Sequence, residues 1–214
     1  MYVGLYDQDL ILGKTKVFPS FEMMLLSSYY KKEGVVELIF DLNDIDRFDL
    51  VYVNRNRTGK DSIPYKIFYE PKIRWFGEGI TGKFVSIEKQ FYNHSPDKTL
   101  YKNYFLSNFE DYSSRKKMII KKMLDPEFIL LRITNGEELL IDLDKLNYKN
   151  RKIIVFDENI FLNPEYNKIL QKLAGNEVYF LNCQKCYDLE AFDFMIQNKF
   201  KPIDRNRRCV SYHG

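Results

Sequence analysis

The first part of the chain places short apolar runs between polar or glycine-containing segments. A helix is predicted over Phe21–Lys32, because Phe21, Met24 and Leu25 fall on one helical face and Gly34 ends the segment. Four apolar runs have the length and composition of strands: Tyr2–Tyr6, Val36–Phe40, Leu50–Val53 and Lys72–Phe76. Strands that are separated by a helix and a crossover indicate a parallel sheet of Rossmann-like type.

The chain after residue 114 also alternates strand and helix signals. A basic helix is predicted over Lys116–Leu124, and Asn135-Gly136 predicts a hairpin turn between Phe128–Ile133 and Glu138–Leu143. Later segments predict strands and helices in alternation: Ile153–Phe156, Pro164–Leu173 with Asn163 as N-cap, Val178–Leu181, Leu189–Asn198 and Phe200–Ile203. The predicted fold class is α/β, with a Rossmann-like domain over 1–83, a linker over 84–114, and a second α/β half over 115–214 that begins as a barrel does.

Composition places the chain among ordinary globular proteins. Its 214 residues are 45% hydrophobic and 29% charged, which is enough for one large domain or two small ones. No window reaches the roughly 18 apolar residues that cross a bilayer, and the N-terminus has no basic region followed by an apolar run. We therefore expect a cytoplasmic protein without a membrane partner.

Charge is nearly balanced overall but uneven along the chain. A formal net charge of +3 does not by itself indicate a nucleic-acid partner. Basic residues cluster in three places: Arg55 with Arg57 and Lys60, Arg205 with Arg207 and Arg208, and a helix cluster of Arg115, Lys116, Lys117, Lys121 and Lys122. Such runs are usually solvated surfaces, and the alternative is that the helix cluster contacts an acidic protein or a phosphate backbone.

Candidate ligand-binding residues follow the predicted strands. Asp7 and Asp9 end the first strand, where doubly wound sheets bind ligands, and they could hold Mg²⁺ or a ribose or could cap backbone amides. Gly77 and Gly79 follow the fourth strand and permit close backbone approach, but the expected long helix does not follow them, so they are not a phosphate fingerprint. Asp157 and Asn159 hold the matching position in the second half.

The cysteines are few and lie late in the chain. Cys183, Cys186 and Cys209 with His213 have the residue types of a zinc site, and the first two have knuckle spacing. The favoured alternative is that Cys183 and Cys186 are small hydrophobic groups at a turn, with the other two in a loose tail. No metal is therefore predicted, and an odd number of cysteines does not indicate a disulfide framework.

Three stretches, in order, resemble a subgroup of radical S-adenosylmethionine proteins common in bacterial and phage genomes. The first combines residues 3–9, 18–24, 27–31 and 49–53, and it is similar to their cobalamin-binding-like N-terminal domain. The second is Gly77-Glu78-Gly79 with Ser95–Tyr101, similar to the family's glycine-rich turn and the Pro-Asp-x-x-x-Tyr segment after it. The third, residues 153–159 and 163–165, resembles the barrel strand and helix after the cluster loop. The resemblance implies a partial barrel in the second half.

The chain departs from this family where the chemistry takes place. The family holds a [4Fe–4S] cluster with Cys-x3-Cys-x2-Cys, whereas the corresponding segment Tyr101–Leu146 contains no cysteine. The histidine that ligates cobalt in many such domains is also missing from Asp7-Gln8-Asp9-Leu10. The resemblance with these departures implies a protein that is not an enzyme and binds no cofactor.

The resulting functional hypothesis is a non-catalytic protein that acts by macromolecular binding. A phage or mobile-element inhibitor of a host defence complex, such as an anti-CRISPR protein, would fit, as would an accessory factor of replication. The partner would be a protein or a ribonucleoprotein complex, and nucleic acid is possible. The alternative is an enzyme or a binder of a nucleotide-like or corrin ligand, which would use the strand-end pocket near Asp7, Gly77 and Gly79.

Overall fold

The structure, a computed structural model, describes residues 1–13, 18–55, 63–77, 85–182, 184–203 and 210–212. The chain divides into two compact units, Met1–Lys117 and Met118–Gly214. The division falls within the basic helix α4 (Ser114–Leu124), which the sequence predicts. Each unit is described by itself.

Four parallel strands form the sheet of the first unit, in the order β2-β1-β3-β4. Their bounds lie within two residues of the predicted runs: β1 (Tyr2–Asp7), β2 (Val35–Ile39), β3 (Leu50–Arg55) and β4 (Ile73–Gly77). The predicted α/β class with a Rossmann-like parallel sheet is confirmed. Helix α1 (Gln8–Gly13) follows β1 directly, and α2 (Phe21–Tyr30) begins where Ser20 Oγ accepts a hydrogen bond from the Met23 backbone N–H.

Both faces of this sheet are buried, as expected for parallel strands. On one face, Val51, Val53 and Ile73 form a core with Ile45 and Ile67, which two 3-10 helices supply, Leu42–Arg47 and Tyr65–Tyr69. On the other face, the Tyr52 hydroxyl lies 2.9 Å from the hydroxyl of Tyr30 on α2. The alternation of side chains along each strand therefore assigns every strand residue to one of two covered faces.

Residues 85–114, which fall in the predicted linker, belong to the first unit. They form a 3-10 helix (Lys89–Asn93), helix α3 (Lys102–Asn108) and a short 3-10 helix (Phe109–Asp111). Their aromatic side chains are buried in that unit: Phe91, Tyr92, Tyr101, Phe105 and Tyr112. The sequence of this segment lacks the hydrophobic period of a helix or a strand. It nevertheless covers the face of the sheet that carries Tyr52, whose ring centre lies 6.3 Å from that of Phe91.

The second unit contains another parallel sheet, in which the strands follow one another in chain order, β5-β8-β9-β11. These strands are β5 (Phe128–Leu131), β8 (Lys152–Val155), β9 (Glu177–Phe180) and β11 (Lys201–Pro202). Helix α5 (Tyr166–Leu173) connects β8 to β9, and α6 (Leu189–Gln197) lies between β9 and β11. Two further strands, β10 (Gln184–Cys186) before α6 and β12 (Val210–Tyr212) after β11, form a separate parallel pair. The partial barrel stays a prediction.

Two turn signals of the second unit can be compared with the structure. A hairpin turn is found close to the predicted position, because β6 (Thr134–Asn135) and β7 (Glu138–Leu139) pair antiparallel and Gly136 has a φ of 63°. The loop is residues 136 and 137, and the predicted first strand of the hairpin is wrong, since Phe128–Leu131 pairs in parallel with β8 instead. Helix α5 begins two residues later than predicted. The Asn163 side chain instead accepts a hydrogen bond from the Glu165 backbone N–H at 2.9 Å, in the turn before the helix.

Candidate functional site

The carboxyl ends of β1 and β3 form the topological switch point of the first sheet. These strands are neighbours, while β2 lies on the other side of β1 and β4 on the other side of β3. Connections that leave in opposite directions open a crevice at the carboxyl ends of the strands, and ligands of doubly wound proteins bind there. The last register pair of β1 and β3 is Asp7 with Asn54.

Asp7 is the centre of a buried polar cluster at this point and is only 1% exposed. Its Oδ1 accepts hydrogen bonds from Asn54 Nδ2 at 3.1 Å and from the Leu10 backbone N–H at 3.4 Å. Its Oδ2 accepts a hydrogen bond of 2.5 Å from the hydroxyl of Tyr101, a fully buried residue. Asp7, which the sequence predicts as a residue of a ligand pocket, is thus covered by Tyr101 of the same unit.

Burial dominates the electrostatics of this cluster. It raises the pKa of Asp7 to about 6, and the neighbouring charge of Asp9 raises the pKa further, while the hydrogen bonds from Tyr101, Leu10 and Asn54 lower it. Burial and the Asp7 charge also hold the pKa of Tyr101 well above its usual range. The tyrosine therefore remains a hydrogen-bond donor, and Asp7 exchanges its proton close to neutral pH.

Gln8 has a buried acceptor atom without a donor. Its side chain is 2% exposed, and Oε1 has no hydrogen-bond partner among the described residues. The residue opens α1, directly after Asp7, and α1 contacts β3. Because a buried acceptor without a partner costs about 1–3 kcal/mol, native proteins rarely keep one unless water or a ligand supplies the donor.

An exposed aromatic ring lies beside the cluster. Phe40 follows β2, and continuing the register from Tyr6 with Ile39 places it next to Asp7 across the sheet. Its side chain is 51% exposed, and its ring stacks on Tyr104 with a centroid distance of 5.7 Å and an interplanar angle of 16°. Burial, and to a lesser extent the Asp7 charge, raises the pKa of Tyr104, which is hydrogen-bonded to Tyr112.

The other proposed residues of the first unit have different positions. Asp9 lies in the first turn of α1 and is partly exposed. Gly77 ends β4 with a φ of 84°, and its backbone pairs with Val85 in an antiparallel bridge. The left-handed φ accounts for glycine at this position without a ligand. Gly79 lies outside the described residues.

Asp157 and Asn159, in the second unit, hold chain segments together. Asp157 is fully buried after β8 and accepts hydrogen bonds from the backbone N–H groups of Ile133 and Thr134 and from Thr134 Oγ1. Burial raises the pKa of Asp157, whereas these hydrogen bonds lower it. The Asn159 side chain accepts from the Lys185 backbone N–H at 3.2 Å and donates to the Lys185 carbonyl at 3.1 Å. Both side chains therefore form hydrogen bonds with backbone groups. This is the role that was considered for Asp7 and Asp9 as the alternative to binding a ligand.

The five basic residues of α4 have unequal surroundings. Lys117 Nζ lies 2.6 Å from Glu110, Lys116 Nζ lies 5.8 Å from the ring centre of Phe18, and Lys122 Nζ lies 4.3 Å from that of Tyr179. Arg115 and Lys121 are exposed. Cations above aromatic rings gain modest stability there, and Lys117 forms an ion pair, so Lys116, Lys117 and Lys122 have contacts within their own unit.

The cysteine set can be assessed only at Cys186. This residue is buried on β10, and its Sγ donates to the Asp188 carbonyl at 2.9 Å. Cys183, Cys209 and His213 lie outside the described residues. Within the described ranges, no group of three or more His, Cys, Asp or Glu residues is arranged to hold a metal ion.

A second aromatic cluster, which no sequence motif indicates, lies on the 3-10 helix Tyr65–Tyr69. Tyr65 and Tyr69 are 75% and 69% exposed, and their hydroxyl oxygens are 2.6 Å apart. On the same helix, Phe68 stacks on Trp75 at 5.2 Å, and the Arg55 guanidinium lies 5.8 Å from the Phe68 ring centre. We call Tyr65, Phe68, Tyr69 and Trp75 the aromatic segment.

Comparisons of the chain with protein-family models, with curated proteins and with solved structures find no match. The resemblance to radical S-adenosylmethionine proteins stays a prediction. In the part of the chain that the structure describes, no helix has the length and apolarity needed to cross a bilayer.

Proposed function

We propose that the protein acts by binding a macromolecular partner, and that the aromatic segment with Arg55 forms part of the contact surface. The observation that carries this proposal is the exposure of Tyr65 and Tyr69, at 75% and 69%. Tyrosine, tryptophan and arginine are the residues most enriched at binding hot spots, and a buried aromatic side chain removes about 150–250 Å² from water.

The local structure favours this surface for binding. The hydroxyl contact between Tyr65 and Tyr69 and the stacking of Phe68 on Trp75 restrain the rings before any partner arrives. Restraint of this kind lowers the entropy cost of association, which is about 0.5–1.5 kcal/mol for each side chain that must be immobilised. The α4 cluster favours the proposal less, since Lys116, Lys117 and Lys122 already contact groups of their own unit.

The biological setting of the proposal comes from the resemblance alone. It comprises a cytoplasmic, non-catalytic protein of a phage or mobile element that inhibits a host complex or assists replication. A protein or ribonucleoprotein partner suits an aromatic surface with an arginine, because both classes present groups that stack on rings.

A paired affinity purification tests the proposal. The tagged wild type, the double variant Tyr65→Ser with Tyr69→Ser, and the control Tyr187→Ser would be expressed in the native host. Tyr187 is 68% exposed and lies in the second unit, so the control removes a tyrosine of similar exposure to each of these two at another surface. We expect one species to co-purify with the wild type and the control but not with the double variant, all three having similar melting temperatures. Equal recovery with all three proteins would refute the proposal.

A further inference from the structure

We propose that the protein forms a two-fold symmetric dimer, in which strand β2 at the edge of the first sheet pairs antiparallel with β2 of a second copy. This edge lies on the other side of the sheet from β4, the strand that carries Trp75 of the aromatic segment. The inference therefore goes beyond the macromolecular contact and does not depend on it.

The backbone of β2 has hydrogen-bonding groups on its outer side. The Val35 N–H donates to the Met1 carbonyl, so residues 35, 37 and 39 turn their backbone groups toward β1. Because successive residues of a strand bond to opposite sides, the N–H and C=O groups of Val36 and Leu38 point away from β1. No strand of the described part of the chain pairs with β2 on that side, so another chain can pair with these groups.

Strand β2 has few of the features with which edge strands usually prevent such pairing. Those features include charged side chains, proline, bulges and a very short strand. At the edge of the second sheet, β11 has two residues and one is Pro202, while the β4 edge is bonded to Val85 through the backbone of Gly77. In contrast, β2 has five residues, and its one charged side chain, Glu37, lies 3.4 Å from Arg47.

Apolar side chains at both ends of β2 are exposed to water. Val35 is 58% exposed, and Phe40, the residue directly after the strand, is 51% exposed. The Phe40 ring is already restrained, because it stacks on Tyr104 with a centroid distance of 5.7 Å. Pairing at this edge would therefore remove apolar area from water without first ordering the ring.

A two-fold axis through Leu38 gives these side chains apolar partners. Leu38 then lies opposite Leu38 of the second copy, and its two N–H and C=O groups bond in both directions. Val36 lies opposite Phe40 of the second copy, on the same face of the sheet as Leu38. A second copy of β2 is thus a matching partner for β2, because the same apolar residues supply both sides of the contact.

Charge selects this register over its neighbours. With the axis through Leu38, Glu37 lies opposite Ile39 of the second copy. Moving the axis one residue toward the N-terminus places Glu37 opposite Glu37, and moving it one residue the other way places Glu37 opposite Asp41. Like charges that lie directly opposite each other are destabilising, so the axis through Leu38 is the favoured one of the three.

Sedimentation velocity over a dilution series tests the dimer. We expect the wild type to have the mass of two chains at the higher concentrations and Leu38→Lys to be a single chain throughout, because two lysines would face each other across the pair. The control Leu106→Lys adds the same charge at a 69% exposed side chain of the same unit and should dimerise as the wild type does. The double variant Tyr65→Ser with Tyr69→Ser should also dimerise, so this test and the purification test fail independently.

Disulfide crosslinking tests the register without relying on a loss of association. Opposite residues that exchange hydrogen bonds have Cα atoms about 5.5 Å apart, which is within the span of a disulfide. Under mild oxidation we expect Leu38→Cys to form a covalent dimer, whereas the wild type and Leu106→Cys form little.

Three results would overturn the proposal. They are a wild type that remains a single chain at every concentration, a dimer that Leu38→Lys leaves intact, and a Leu38→Cys variant that crosslinks no better than Leu106→Cys. If circular dichroism shows that Leu38→Lys does not fold, the wild-type mass and the crosslinking decide the question.

Discussion

Replacing Asp7 by asparagine should stabilise the first unit at neutral and alkaline pH. The folded carboxyl has a pKa of about 6, against an ordinary value of 3.8, and burial is the largest cause. Because the folded state holds this proton more tightly than the unfolded chain, stability is greatest below the ordinary pKa and falls as the pH rises from about 4 to about 6. Above that range the wild type contains an ionised carboxylate in a buried position.

The size of the effect follows from the interval between the two pKa values. At about 1.36 kcal/mol for each pH unit, the interval from 3.8 to about 6 corresponds to about 3 kcal/mol lost by the wild type at pH 8. Asparagine has the shape of the protonated carboxyl. Its oxygen can accept from Asn54 and Leu10, and its amide can donate to the Tyr101 hydroxyl, which turns to accept. We therefore expect Asp7→Asn to be up to about 3 kcal/mol more stable than the wild type at pH 8 and nearly equal at pH 4.

Urea unfolding between pH 4 and pH 8 measures this difference. Trp75 is the only tryptophan in the chain and lies in the first unit, so its fluorescence reports the unfolding of that unit even if the two units unfold separately. The reasoning would be refuted if Asp7→Asn were less stable than the wild type at pH 8, or if the two proteins differed by the same amount at every pH.

Three further outcomes are expected. Asp157→Asn should destabilise the second unit by about 1–3 kcal/mol in thermal unfolding followed by circular dichroism. Each Asp157 oxygen accepts from a backbone N–H, of Ile133 or Thr134, which cannot turn to accept as the Tyr101 hydroxyl beside Asp7 can, so the asparagine amide would face a donor; a stabilised variant would contradict this account. Phe91→Ala should lower the free energy of unfolding of the first unit by about 3–5 kcal/mol, measured by urea unfolding with Trp75 fluorescence. The exposed control Leu106→Ala should change it little, and similar effects of the two would mean that Phe91 is not a core residue. Anaerobic expression with iron and sulfide should yield no [4Fe–4S] protein, and a stoichiometric brown chromophore would disprove the absence of a cluster.

Local sequence was sufficient to locate the strands of both sheets and the basic helix. A strand such as Ile153–Phe156 is an uninterrupted apolar run, and burial of both its faces in a parallel sheet requires this composition. A turn near Gly136 could be predicted from local sequence as well, since the turn needs a residue that adopts positive φ, but the strands that it joins could not. Asp7 could be predicted as a candidate ligand-binding residue because the end of its strand can be located in the sequence.

The surroundings of these residues depend on contacts between distant parts of the chain. The Tyr101 hydroxyl that covers Asp7 comes from 94 residues away, and no local pattern signals such a pairing. Asn54 offered a weak signal, as a polar residue at the end of an apolar strand, but Gln8 differs from other polar residues only once its burial is known. Residues 85–114 read as a linker because they lack a period, yet their aromatic side chains have enough apolar area to cover a sheet face. Sequence thus determined where the chain forms strands and helices, because that depends on neighbouring residues, whereas the tertiary structure decided which polar groups are buried and which aromatic rings remain exposed, because burial depends on segments that meet only after folding.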